Sequence, residues 1–244
     1  ASYAFNKSHA TCYSWVAYQT AYLKAHYPAE YMAALMTRRF AQITEITKLM
    51  EECQSMGIKT LGPDVNESYR VFGVNEHGEI RFGLSAIKGM GAPAADAIVA
   101  ERLKNGPYKT IFDFAERVDY SSVNRKAFET LALSGGFDSF GIRREQFFGK
   151  NSKGETFLDT LVRYGQLYQR EQQEAATSLF GGTEAVEIAT PPIPEVEGWS
   201  TIERLNRERE LVGIYLSAHP LDDYEIILKN LCNTHRAELG DKAA

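Results

Sequence analysis

The clearest periodic stretch lies in residues 42–56, where Ile43, Ile46, Leu49, Met50, Cys53 and Met56 recur at helical spacing before Gly57 supplies a stop. Upstream, residues 11–25 read as a helix rich in aromatic and small residues. Another follows Pro28, whose missing N–H costs nothing in a first helical turn. Residues 1–57 are therefore expected to form a helical unit. The pattern then changes. Arg70-Val71-Phe72-Gly73-Val74 and Glu79–Leu84 flank the polar link Asn75-Glu76-His77-Gly78, which predicts a β-hairpin. Leu84–Lys88 reads as a short helix and Pro93–Lys104 as a longer one. Thr110 can cap a further helix, with Asp113 three residues on in a variant of the capping box. Val123–Leu133 is helical again, stopped by Gly135-Gly136.

From about residue 150 to 175 the chain is polar and helical, with Leu158, Leu161, Val162 and Leu167 on one face. Gly181-Gly182, Pro191-Pro192 and Pro194 then fall among glutamates, which marks residues 176–200 as a linker by composition. Helical periodicity resumes over Thr201–Tyr215, and a polar tail follows. No repeat of fixed period is present. The fold class expected is mainly α, with one small β-hairpin.

Composition narrows the functional classes. The chain has 244 residues, 44% hydrophobic and 24% charged, which suits a soluble globular protein with real cores. No apolar run reaches the length of a membrane span, and no signal-like region opens the chain. It begins with Ala rather than Met, and Tyr3-Ala4-Phe5 already reads as structured, so an excised piece of a longer protein is expected. Cys12, Cys53 and Cys232 are too few and scattered for a zinc site or disulfide framework. Reduced thiols in a cytoplasmic protein are the simplest reading. The net charge of −5 argues against indiscriminate nucleic-acid binding, but it hides local asymmetry. Residues 1–40 carry Lys7, Lys24, Arg38 and Arg39 against Glu30 alone. Residues 81–109 carry Arg81, Lys88, Arg102, Lys104 and Lys109 against Asp96 and Glu101. Residues 171–203 hold seven glutamates and no Lys or Arg.

Leu84–Arg102, LSAIKGMGAPAADAIVAER, carries the candidate chemistry. A short helix leads into Gly89-Met90-Gly91, and another starts near Pro93. Leu84, Ile87, Met90, Ala94, Ala97 and Ile98 can pack the two together. Gly89 and Gly91 permit φ values that a side chain resists. The first N–H groups of the second helix lack intrahelical partners, and the dipole adds partial positive charge. Such an arrangement binds phosphate well. On these three residues alone, a tight turn whose glycines serve packing stays open. The whole pattern, with the Ala and Arg late in the second helix, resembles the helix-hairpin-helix motif, whose hairpin contacts the DNA backbone without reading sequence. That resemblance assigns DNA binding to Lys88, Gly89, Met90, Gly91, Ala92, Arg102 and Lys104.

A more specific resemblance lies at the start. Phe5-Asn6-Lys7-Ser8-His9-Ala10, then Tyr18-Gln19-Thr20-Ala21-Tyr22-Leu23-Lys24-Ala25-His26-Tyr27-Pro28-Ala29-Glu30-Tyr31-Met32, resembles the end of the fingers region in the bacterial DNA polymerase III alpha subunit family. Gly62-Pro63-Asp64-Val65-Asn66, Phe112-Asp113-Phe114, Asn124–Glu129 and Ser134-Gly135-Gly136-Phe137-Asp138 follow in the family's order. Glu208–Pro220 resembles its lead-in to an OB-fold domain. The likeness runs to about residue 230.

The resemblance implies distal fingers over residues 1–62 and a β-hairpin with tandem helix-hairpin-helix DNA-binding domain over 63–170. It implies an acidic linker with a clamp-binding motif over 171–200 and a helical lead-in over 201–244. The whole enzyme would transfer deoxynucleotides to a primer end with two magnesium ions held by palm aspartates. Those would lie upstream of residue 1, so this piece alone is expected to be inactive, with no catalytic or metal-binding residue. Lys7, Ser8 and His9 are the candidates near the incoming nucleoside triphosphate, by charge and hydrogen bonding to phosphate or sugar oxygens. A capping Ser8 and a packing His9 stay open beside that role. Tyr13, Trp15, Tyr18 and Tyr22 are expected in a core rather than as base-stacking platforms, and Arg38 and Arg39 are expected to face water. Ala176-Thr177-Ser178-Leu179-Phe180 stands where the family carries its pentapeptide for the beta sliding clamp, with Ala176 in place of the usual Gln. Other replicase subunits are implied partners; a membrane is not. The rival readings are a stand-alone helix-hairpin-helix module of a repair nuclease or ligase, and a protein-interaction scaffold.

Overall fold

The architecture follows from which helices have an apolar face to bury. The computed structural model describes residues 7–177 and 188–224, with 226, 227 and 230. It opens on α1 (Lys7–His26), α2 (Pro28–Arg39) and α3 (Ile43–Ser55). Ala29, Met32, Ala33 and Met36 are three and four residues apart on α2, so one stripe of that helix is buried. It packs on α3, which buries Ile46 and Cys53. Burial pushes the Cys53 thiol up to about 11 and keeps it neutral.

The first helix departs from expectation. No residue of α1 is buried. Tyr13, Trp15 and Tyr18 are more than 60% exposed, and Tyr22 is 47% exposed, so none of the four is a core residue. The apolar residues of α1 run around the whole helix rather than along one stripe, and α2 covers only part of it. The rings instead step along the surface, with His9–Tyr13 centroids 4.3 Å apart and Tyr22–His26 centroids 4.2 Å apart. An ion pair from Lys24 to Glu52 ties α1 to α3. Arg38 and Arg39 face solvent, as expected.

The predicted hairpin forms between β2 (Gly73–Val74) and β3 (Ile80–Arg81), which pair antiparallel. Asn75 Oδ1 accepts from His77 N and Glu79 N and closes the turn. A strand that the alternation did not announce, β1 (Thr60–Leu61), pairs parallel with β3. The sheet order is therefore β1-β3-β2. Leu84–Lys88 contracts to a 3₁₀ turn over Leu84–Ala86, ended by Ile87, which is extended. The N–H groups of Leu84 and Ser85, at its start, are bonded to the carbonyls of Tyr69 and Arg70.

Beyond it come α4 (Ala92–Asn105), α5 (Ile111–Arg117), α6 (Arg125–Ser134), α7 (Phe157–Thr177) and α8 (Thr201–Val212). Thr110 Oγ1 accepts Asp113 N at 3.1 Å, and the Asp113 carboxylate reaches Lys109 N at 2.7 Å, one residue before the usual partner. Asn124 caps α6 through Ala127 N. Gly135 ends it in the left-handed conformation, as the double glycine predicted. A file of rings forms the centre of this half. Tyr108 meets Phe114 at 4.9 Å, Phe114 meets Phe137 at 5.0 Å, and Phe137 meets Phe147 at 5.5 Å. Leu158, Leu161 and Val162 of α7 are buried, while Leu167 turns outward.

Two boundaries shift. The helical signal resumed over Thr201–Tyr215 ends at Val212, where Gly213 takes a left-handed conformation. The compositional linker is helical up to Thr177 at its start and docked at its end. Gln146 Nε2 donates to Pro194 O at 2.9 Å, Arg143 donates to Val196 O at 2.9 Å, and Trp199 stacks on Phe148. Extended backbone with free carbonyls was captured by side chains that composition could not reveal.

Candidate nucleic-acid interface

Gly89-Met90-Gly91 joins the 3₁₀ turn to α4, and each of its residues has a separate task. Met90 is 5% exposed, with its N–H bonded to Ile87 O at 3.0 Å, so it pins the turn from inside. Leu84, Ile87, Ala94 and Ile98 are buried with it, and Ala97 packs partly against the same core, as the pattern predicted. Gly89 takes φ +90, which side-chain-bearing residues rarely adopt. Gly91 is the extended N-cap of α4, and its carbonyl accepts Ala95 N.

The consequence is a set of donors. Among the described residues no acceptor is paired with the N–H groups of Gly91, Ala92 or Ala94. Gly91 and Ala92 are exposed, and they stand at the positive end of a 14-residue helix. Lys88 is exposed beside them and makes no ion pair among the described residues; its own N–H is held by Leu211 O of α8 at 2.9 Å. Two exposed N–H groups and, three residues earlier, an exposed ammonium thus stand open to solvent, which is the chemistry that holds a phosphate.

Two members of the predicted set stand elsewhere. Arg102 is 7% exposed, and its guanidinium donates to Val65 O at 2.7 Å and Ser68 O at 2.9 Å, over the ring of Tyr69. It holds the segment after β1 against α4 and presents no charge to solvent. Burial lowers its pKa against the opposing pull of nearby tyrosines and acids. Lys104 is exposed but sits twelve residues along α4 from Ala92, about 18 Å at the helical rise. Composition counted both as charge near the hairpin; the depth of one and the distance of the other emerge only with packing.

Sequence reasoning passed over Lys126. An added Cβ on Gly89 would meet Thr130 Oγ1 at 3.4 Å and Lys126 Cε at 4.0 Å, so α6 lies directly against the hairpin. Lys126 is 59% exposed and pairs with Glu129 at 3.5 Å. It falls within the quoted stretch Asn124–Glu129, but nothing in spacing ties α6 to a glycine 37 residues away.

The other candidates lie apart from the hairpin. Lys7, Ser8 and His9 form the first described turn of α1, exposed, with Ser8 inside the helix rather than capping it. Ala176 and Thr177 close α7, and Ser178, Leu179 and Phe180 lie outside the described residues. Among the described residues no three His, Cys, Asp or Glu side chains come together to hold a metal. Nor, among them, is any helix long and apolar enough to cross a membrane.

The comparisons with known proteins agree with this geometry. A helix-hairpin-helix motif family matches residues 57–147, the span from β1's approach through the turn after α6. The chain is 39% identical over 242 residues to DNA polymerase III subunit alpha of Pasteurella multocida, covering 99% of this chain and 20% of that protein. It is 43% identical over 234 residues to DNA polymerase III subunit alpha of Chlamydia trachomatis, at 93% and 18% coverage. The protein of the same name from Treponema pallidum is 40% identical over 228 residues, at 93% and 19%. The chain thus spans about a fifth of the length of these relatives.

Proposed function

We propose that this chain, homologous to about a fifth of the bacterial DNA polymerase III alpha subunit, grips duplex DNA by its phosphate backbone during template-directed synthesis by the complete enzyme. The observation that carries this reading is the pair of exposed, unpartnered N–H groups on Gly91 and Ala92 beside Lys88. Backbone donors recognise phosphate oxygens irrespective of base, so the grip is blind to sequence and can slide as the duplex grows. Gly89, Gly91, Ala92 and Lys88 make the contact; Met90 holds the turn from behind, and Lys104 meets the duplex farther along.

Polymerisation itself belongs to the complete chain. Its magnesium ligands and palm aspartates lie outside these residues, and the 244-residue chain alone is inactive. Lys7, Ser8 and His9 at the head of α1 approach the incoming nucleoside triphosphate. Ala176–Phe180, which begins with the last two residues of α7, engages the beta sliding clamp, and the complete enzyme works with other replicase subunits in the cytoplasm. Similarity over nearly the whole chain, α1–α3 included, favours this over a stand-alone repair module, which has no use for those helices.

Fluorescence anisotropy with labelled duplexes tests the grip. The logarithm of affinity should fall linearly with the logarithm of salt concentration and should not distinguish unrelated sequences. Gly91→Val should abolish binding while the circular dichroism spectrum is kept. Salt-independent binding, or undiminished binding by a folded variant, sinks the reading. For the tether, Leu179→Ala with Phe180→Ala should abolish capture by an immobilised clamp.

A further inference from the structure

The hydroxyl of Thr130 is fully buried and has no hydrogen-bond partner. A buried polar group without a partner is costly, and native structures rarely leave one without reason. Its surroundings give the reason. Thr130 lies one helical turn from Lys126 on the same face of α6, and both side chains border Gly89, the Oγ1 atom at 3.4 Å and Lys126 Cε at 4.0 Å from where a Cβ would stand. Gly89 has no Cβ, so nothing separates that oxygen from the hairpin backbone. The Lys126 side chain passes the same glycine and is 59% exposed.

We infer that α6 completes the phosphate site of the hairpin: Lys126 contacts the same DNA phosphate as Gly91 N–H and Lys88, and Thr130 is a positioning residue whose hydroxyl holds the Gly89 peptide in its DNA-bound geometry. This rests on the backbone-grip reading and adds to it a second element from the other half of the domain. In the free protein Lys126 pairs with Glu129 at 3.5 Å, an exposed contact that a phosphate readily displaces. The Thr130 hydroxyl gains its partner when the phosphate draws the hairpin N–H groups into line.

The test uses the 244-residue chain, a labelled duplex, two variants at residue 126 and three at residue 130. Lys126→Met should weaken binding about tenfold at low salt and reduce the salt slope by about one. Lys126→Arg should keep the slope. Thr130→Val, which keeps shape and removes the hydroxyl, should raise the melting temperature while weakening binding about threefold. Thr130→Ser should bind as the parent does. Should Thr130→Val destabilise the fold, Thr130→Ala carries the comparison. Parental affinity and slope in Lys126→Met, or parental affinity in folded Thr130→Val and Thr130→Ala, overturns the inference. Because the backbone grip is read separately through Gly91→Val, loss there with no effect at residues 126 and 130 would remove only the contribution of α6.

Discussion

Arg144 donates to Glu208 Oε2 at 2.7 Å, with the two side chains only 6% and 1% exposed. The same guanidinium reaches Asp138 at 2.6 Å, and the other oxygen of Glu208 accepts the N–H groups of Leu216 and Ser217 at 2.6 and 2.9 Å. A buried pair so fully partnered binds the turn after α6 to α8 and to the chain beyond it. Lys88 N–H also rests on α8, so the pair supports the hairpin from behind.

Replacing Glu208 with Gln should cost about 1–3 kcal/mol, because it weakens a buried charge-assisted hydrogen bond and leaves Arg144 with Asp138 alone as its counter-charge. Urea unfolding of the 244-residue chain measures this. The double variant Arg144→Met with Glu208→Leu should recover much of the loss. A single variant as stable as the parent would show that the pair bears no weight.

The same pair sets an acid response. Burial pushes the Glu208 carboxyl up, but the Arg144 guanidinium and the Ser217 and Leu216 N–H donors together hold it below its ordinary value. A carboxyl with a lower pKa folded than unfolded adds stability that is present above the unfolded value and lost as pH falls through the folded one. The urea midpoint should therefore fall as pH is lowered below about 4.5, and Glu208→Gln should show a shallower fall over the same range. Parallel curves would contradict this.

Gly135→Ala should be markedly worse than Gly141→Ala. Both glycines take the left-handed conformation, at φ +88 and +72, which costs a side-chain-bearing residue about 1–2 kcal/mol. At Gly141 an added Cβ meets nothing within 4 Å, whereas at Gly135 it would stand 2.2 Å from Arg144 Nη2. Thermal melts of the two variants should differ by several degrees. Equal melts would mean that the guanidinium moves aside freely.

Arg102→Gln should lower stability by about 1–3 kcal/mol, since the carbonyls of Val65 and Ser68 lose their donor. Its duplex affinity, measured below the melting range, should keep the parental salt slope. A reduced slope would return Arg102 to the DNA-facing surface.

What the sequence made legible divides along local and long-range lines. The Thr110 cap and the Gly135 stop were readable because each acts within four residues of its partners. The hairpin's glycines were readable for the same reason. Tyr13, Trp15 and Tyr18 misled because aromatic content says nothing about which neighbour covers a helix. Arg102 misled because its charge was counted without its depth. Lys126 and Thr130 were hidden because their relation to Gly89 is made by the packing of α6, across about forty residues of chain. Trp199 and Pro194 looked like tether until Phe148 and Gln146 proved to hold them.

The short strand β1 decides where this protein can be cut. Ile80 N and Phe82 N donate to Lys59 O and Leu61 O at 2.9 and 3.0 Å. A fragment beginning at residue 63 would bare that row of donors on β3, and an unpaired strand edge invites other chains to add to it. A helix-hairpin-helix piece made for crystallisation or spectroscopy should therefore start before Lys59. Trimmed closer, it would offer an open strand edge to every neighbouring copy.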